Sequence, residues 1–139
     1  MIDFLKQQNI IQEYIDEIYT IRNFKIVTDY LDFDKYKNDF IINIEFDTIN
    51  FPFSKLNDDC TKLQNLLVNI YLVHRNNTPS ELNKKMLEAA SHFHSLIMNM
   101  KSDDIFFDVN INNINFFKYI EGSTNIMASK FELQINIEI

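Results

Sequence analysis

Three histidines, one cysteine and a scatter of carboxylates are the residues of this chain equipped to bind a metal, attack a bond or move a proton. His92 and His94 stand two positions apart in a helical pattern, which separates them by about 200° around the helix axis and prevents them from sharing one ion. His74 lies far from both in sequence, at the end of an expected strand. Asp58-Asp59-Cys60 sets two carboxylates beside a thiol, but a carboxylate there does not raise the thiolate fraction, so the group reads as an acidic loop next to a cysteine. Asp103-Asp104 reads as a helix stop, and Met86, Met98 and Met100 as fillers of core gaps along one helix. No nucleophile has its base and no pair of carboxylates stands out for acid and base work. The expectation is a protein with no catalytic, cofactor-binding or metal-binding residues, and not an enzyme.

Bulk properties narrow the classes further. A length of 139 residues suits one domain, able to bury roughly two-thirds of the surface its unfolded chain exposes. With 13 Phe, 6 Tyr and abundant Ile, a core of large rings and branched chains is available. The single Gly excludes the glycine-rich loops that cradle phosphates and dinucleotides, because those loops need several backbones that approach the ligand closely. A net charge of −7 opposes the basic stripe of a protein that grips nucleic acid. Two arginines against eleven lysines, with much Ile, Asn and Phe, follow AT-rich codon usage and report the genome. Cys60 alone allows no internal disulfide, and the opening Met-Ile-Asp-Phe-Leu-Lys lacks the pattern of a signal peptide. No apolar run approaches the roughly 20 residues of a membrane helix, so an intracellular product with no membrane partner is expected.

The elements that must position these residues come from periodicity. Ile2 to about Arg22 carries Leu5, Ile11, Tyr14, Ile15 and Ile18 on one helical face and Lys6, Gln7, Glu13, Asp16 and Glu17 on the other. Phe24 to Leu31 reads as a strand, the polar cluster Asp32 to Asp39 as a hairpin connection or its tip, and Asn38 to Asn50 as a strand with Phe40, Ile42, Ile44 and Phe46 on the core face and Asn43, Glu45 and Asp47 on the wet face. Phe51-Pro52-Phe53 breaks the ladder, since Pro cannot donate to it. Leu63 to His74 is apolar almost throughout and reads as a central strand covered on both faces. Thr78-Pro79-Ser80-Glu81 then signals a helix start, with Thr as N-cap, Pro at the first helical position and Glu three residues after the cap. The helix runs to Met100, about 21 residues and about 32 Å. Ile105 to Ile111 alternates as a fourth strand, Asn112 to Asn125 reads as a long turn or loop around Gly122, and Ile126 to Ile139 as the last strand. The fold expected is α+β: a mostly antiparallel sheet of about five strands packed against two helices, in the order α-β-β-β-α-β-β, as a single domain over residues 1–139.

Partner surfaces are the remaining candidate chemistry. The tip Asp34-Lys35-Tyr36-Lys37, the loop Phe51-Pro52-Phe53 and the aperiodic Phe116-Phe117-Lys118-Tyr119 each place large apolar groups in expected connections, where they are either tucked beneath the loop or offered to another subunit. Tyr36, Phe51, Phe53, Phe116 and Phe117 are the interface candidates.

The layout, with Asp108 to Ile111, then Tyr119-Ile120-Glu121-Gly122-Ser123-Thr124-Asn125-Ile126, then Phe131-Glu132-Leu133-Gln134-Ile135, resembles the tail terminator and neck ring proteins of tailed bacteriophages. Subunits of that family pack an antiparallel sheet against helices and assemble into rings at the head-tail junction. The resemblance implies a structural virion component assembled in the host cytoplasm, a homomeric ring of six or twelve copies, neighbours among portal, connector and tail proteins, and DNA only as passing cargo. A closed ring needs heterologous contacts, for which the segment around Tyr36 and the loop around Phe51 and Phe53 are separate patches. The alternative reading is an acidic immunity or antitoxin-type inhibitor of a basic partner, distinguished by its size in solution. A small enzyme of unrecognised type is the third class, against which the lack of a catalytic constellation argues.

Overall fold

A computed structural model of the chain describes residues 4–18, 24–28, 35–36, 38–50, 63–100 and 108–138. The elements are helix α1 (Phe4–Ile18), strands β1 (Phe24–Val27), β2 (Phe40–Asn50) and β3 (Leu63–Arg75), helix α2 (Pro79–Met100), and strands β4 (Asp108–Glu121) and β5 (Thr124–Glu138). The architecture is α+β, and the element order is the one expected from the periodicities. The five strands form one sheet in the order β1-β2-β3-β5-β4. Every pairing is antiparallel except that of β1 with β2, where Phe24 opposes Phe40 and Val27 opposes Asn43 in parallel.

That parallel pair corrects the expected hairpin. Two parallel neighbours cannot be joined by a tight turn, so the chain between Val27 and Phe40 must cross over before entering β2. The polar composition of Asp32 to Asp39 marks a connection in either case, which is why sequence did not separate the two. A second correction concerns residues 112–121, expected in a loop and found as most of the 14-residue strand β4. The register of β4 against β5 shifts between Ile111 and Asn113, and this irregularity breaks the strict alternation by which a strand is recognised. The turn that remains is only Gly122-Ser123, between the paired Glu121 and Thr124. Gly122 has a φ of 61°, and Ser123 is not among the described residues of positive φ, the pattern of a type II′ hairpin with Gly first. A Cβ on Gly122 would meet nothing within 4 Å, so the glycine serves only its backbone conformation. Gly122→Ala is expected to cost about 1 to 2 kcal/mol in chemical denaturation, all of it from the left-handed φ.

Burial follows the pleat. On one face of the sheet, Phe40, Ile42 and Ile44 of β2, Leu66, Val68, Ile70 and Leu72 of β3, Val109 of β4 and Phe131, Leu133 and Ile135 of β5 form one cluster with Ile11 and Ile15 of α1 and Ala89, Ala90, Phe93 and Ile97 of α2. Phe46 and Leu96 pack at its margin, while Leu82 is buried in a separate group with Met86 and Met127. Helix α2 begins where the Thr78 carbonyl accepts the Leu82 N–H at 2.9 Å, with Pro79 at the first helical position. Asn76, just before it, takes a positive φ of 63°, a conformation Asn tolerates better than most residues.

The opposite face is not simply wet. Val27, Ile41, Val73, Ile126 and Ala128 make a smaller core there, with Tyr36 and Tyr71 packed against it. Asn43, expected in solvent, is buried and donates its side-chain N–H to the Val27 carbonyl at 2.9 Å, tying the ends of the parallel pair together. Glu45 and Asp47, farther along β2, are exposed as expected.

Candidate subunit interface

Strand β4 is the last strand of the sheet, so one whole edge of its backbone has no ladder partner among the described residues. Its register places Phe116 opposite Ser129, Phe117 opposite Ala128, Lys118 opposite Met127 and Tyr119 opposite Ile126. The β5 partners are buried, whereas Phe116, Phe117, Tyr119 and Ile120 are 49%, 41%, 43% and 69% exposed. Alternation sends Phe116 and Ile120 to the helix face and Phe117 and Tyr119 to the other. The end of the β4–β5 hairpin therefore offers large apolar groups on both faces of an open edge. Soluble monomers usually blunt such an edge with charge or cover it, and here Lys118 is the only cation within the band.

At the opposite edge of the sheet, α1 and β1 enclose a groove of about 410 Å³ lined by Asn9, Gln12, Glu13, Asp16, Phe24, Lys25 and Ile26. A second depression beside it, lined in part by Leu5 and Ile10, shares Asn9 and Glu13. Phe4 and Leu5, at the start of α1, are 47% and 66% exposed. The groove rim is thus polar and partly acidic, with open apolar groups next to it.

The other interface candidates are placed differently. Tyr36 is half-buried against the smaller core of its own sheet, the tucked alternative for a loop aromatic. Arg75 fixes the backbone there: its side chain is buried, its Nε donates to the Asn38 carbonyl at 3.0 Å, and a terminal guanidinium N–H reaches the Tyr36 carbonyl. The backbone N–H of Arg75 donates to the Asp39 carbonyl at 3.0 Å, and Asn76 Nδ2 to Asp39 Oδ1 at 2.9 Å. Phe51 and Phe53 lie outside the described residues, as do Asp58-Asp59-Cys60 and Asp103-Asp104.

Among the described residues the titratable groups show no convergence. His74 is buried and stacked on Phe40, ring centroids 4.4 Å apart, His92 is half-buried and His94 is exposed. Among the described residues no three His, Cys, Asp or Glu side chains gather as metal ligands. On the sheet face away from the helices, buried Asn69 donates to Glu45 Oε1 at 3.2 Å and Asp47 Oδ2 at 3.3 Å, and Lys130 pairs with Glu132 at 3.3 Å. Lys130 also sits 5.7 Å from the centre of the Tyr71 ring. Tyr71 is raised above the ordinary phenol pKa, first by burial and then by Glu45, with Lys130 opposing. This is a solvated polar surface with a side-chain network across three strands. No described helix is long and apolar enough to cross a membrane.

Sequence reading found Phe116, Phe117 and Tyr119 through their lack of period, but missed Ile120 and the groove. The signal for Ile120 was the same run of apolar residues continuing past any alternation. The groove had none, because it depends on α1 lying over a parallel β1–β2 pair.

No family model matches the chain, and no curated protein matches it. Among solved structures the chain is similar to the sheath/tube terminator of an extracellular contractile injection system (PVC), determined by cryo-EM in its extended state. The identity is 8% and the TM-score 0.48, over all of this chain and 58% of that one, so the chain spans less than two-thirds of its neighbour's length.

Proposed function

We propose that this protein is a structural, non-enzymatic ring subunit of the tail terminator kind, six or twelve copies closing around a channel through which DNA passes, with portal, connector or tail proteins as neighbours in a virion. The observation that carries the reading is the apolar band Phe116, Phe117, Tyr119 and Ile120 on a 14-residue edge strand, a surface suited to burial against another subunit. The order of elements on which the resemblance rests is also the order in the fold. The net charge of −7 fits a lumen that repels DNA weakly at short range, with salt screening the remainder within about 8 to 10 Å.

The test is native mass spectrometry and negative-stain microscopy of the purified protein across concentration. Closed particles of one fixed copy number are expected. Paired charge substitutions at Phe116 and Ile120, both solvent-exposed, should leave the circular dichroism of the monomer intact and abolish the particles. A protein that stays monomeric at every concentration and binds a basic toxin instead belongs to the inhibitor class.

A further inference from the structure

Resting on that reading and specifying its contact, we propose that the end of the β4–β5 hairpin docks into the α1–β1 groove of a second copy of this chain. The occupant is fixed by topology and charge. β4 and β1 are the two outermost strands of a five-stranded sheet, so the hairpin end and the groove lie at opposite edges of one molecule and cannot meet within it. Contact between them is intermolecular and heterologous, one patch meeting a different patch, the arrangement that builds rings when the rotation closes. Among the described residues neither β4 nor β1 has a ladder partner on its outer side, so the outer edge of β4 can add to that of β1 through backbone hydrogen bonds. The side chains complement each other as well. Lys118 projects from an otherwise apolar band, while Glu13 and Asp16, three residues apart and so on one side of α1, line the groove. The exposed Leu5, which lines the depression beside the groove, supplies apolar surface for the rings and Ile120.

Charge reversal on each side tests the pairing with the full-length chain. Lys118→Glu alone, and Glu13→Lys with Asp16→Lys, should each raise the concentration of half-assembly at least about tenfold, because like charges then face each other in the contact. All three residues are exposed or on a groove rim, so the variants are expected to keep the wild-type melting temperature. Mixing the two variants should restore assembly, since each hairpin then meets a groove of opposite charge. In a Cys60→Ser background, Ile120→Cys, on the same face of β4 as Lys118, with Gln12→Cys should give interchain disulfides under mild oxidation, as a ladder of oligomers. Failure of the mixture to assemble, or absence of the ladder from a protein that still forms particles, overturns this contact and leaves the ring reading standing. Disulfide-linked chains of indefinite length without closed particles would support the contact and overturn the ring.

Discussion

Replacing Phe93 by alanine is expected to lower the unfolding free energy by about 3 to 5 kcal/mol. Phe93 lies on the buried face of α2, is fully inaccessible, and meets the edge of Phe131 with ring centroids 4.9 Å apart and planes at 80°. Phe131 sits on β5, whose neighbours β3 and β4 hold it from both sides, so the sheet cannot slide in to fill the space a truncated ring would leave. Ala89 and Ala90, one turn before it, already allow the helix a close approach, which leaves little room for further collapse. The loss then contains both the transfer of the ring and the cavity it vacates. Leu87→Ala or Met98→Ala, on exposed positions of the same helix, should change stability by no more than about 0.5 kcal/mol. Urea denaturation with an unchanged slope measures all three, and a loss under about 1 kcal/mol for Phe93→Ala would mean that the helix face is misassigned.

The part of the fold legible in the sequence is the part governed by a single period. Leu82, Met86, Ala89, Phe93 and Ile97 recur at helical steps behind Thr78-Pro79, and all are buried in α2. Phe40, Ile42 and Ile44 alternate and join one core cluster with Ala89, Phe93 and Ile97, and Leu133 and Ile135 do the same from β5. The apolar run Leu66 to Val73 made the central place of β3 legible, although on the face away from the helices Leu67 and Tyr71 are only half-buried. Where two demands overlap, the signal fails. β4 carries the shift beside Asn112 and Asn113, then presents apolar residues on both faces near the turn, so neither half shows a clean alternation. Strand direction is invisible for the same kind of reason, since the residues of β1 suit a parallel and an antiparallel neighbour equally well.

The small second core was hidden for another reason. Val27, Ile41, Val73, Ile126 and Ala128 are spread over four strands, β1, β2, β3 and β5, and most of them stand next to apolar residues that serve the other face, so no period of their own marks them. They gain an environment only when Arg75 holds the backbone at Tyr36 and Asn38 over them, and an arginine at a strand end announces no such role by itself. The exposed apolar band of the proposed interface was legible to the extent that aromatic residues in an aperiodic run stood out. Its counterpart was not, because Glu13 and Asp16 read as the solvated side of a helix until β1 is set beside them.

Acid should weaken the fold through His74, and by an amount comparable to a core mutation. Burial pushes its pKa down to about 4, with Lys85 contributing in the same direction. Its Nδ1 is buried with no hydrogen-bond partner among the described residues, and its ring stacks on Phe40, so a charged imidazolium gains nothing from them where it sits. In the unfolded chain the group titrates near 6.5. Above that pH both states hold the neutral ring and His74 adds no pH dependence. As the pH falls from 6.5 towards 4, the unfolded chain takes up a proton that the folded chain refuses, so the unfolded state binds more protons and stability declines. The full decline from this one residue is about 3 kcal/mol, complete once the folded group also protonates. His74→Phe keeps a flat ring against Phe40 and removes both the titration and the unpartnered nitrogen. The difference in unfolding free energy between this variant and the wild type, measured from pH 7.5 to 4, cancels the carboxylates common to both and should shift in the variant's favour by about 3 kcal/mol. A difference that stays constant across that range would mean that His74 reaches solvent or a partner when it is protonated.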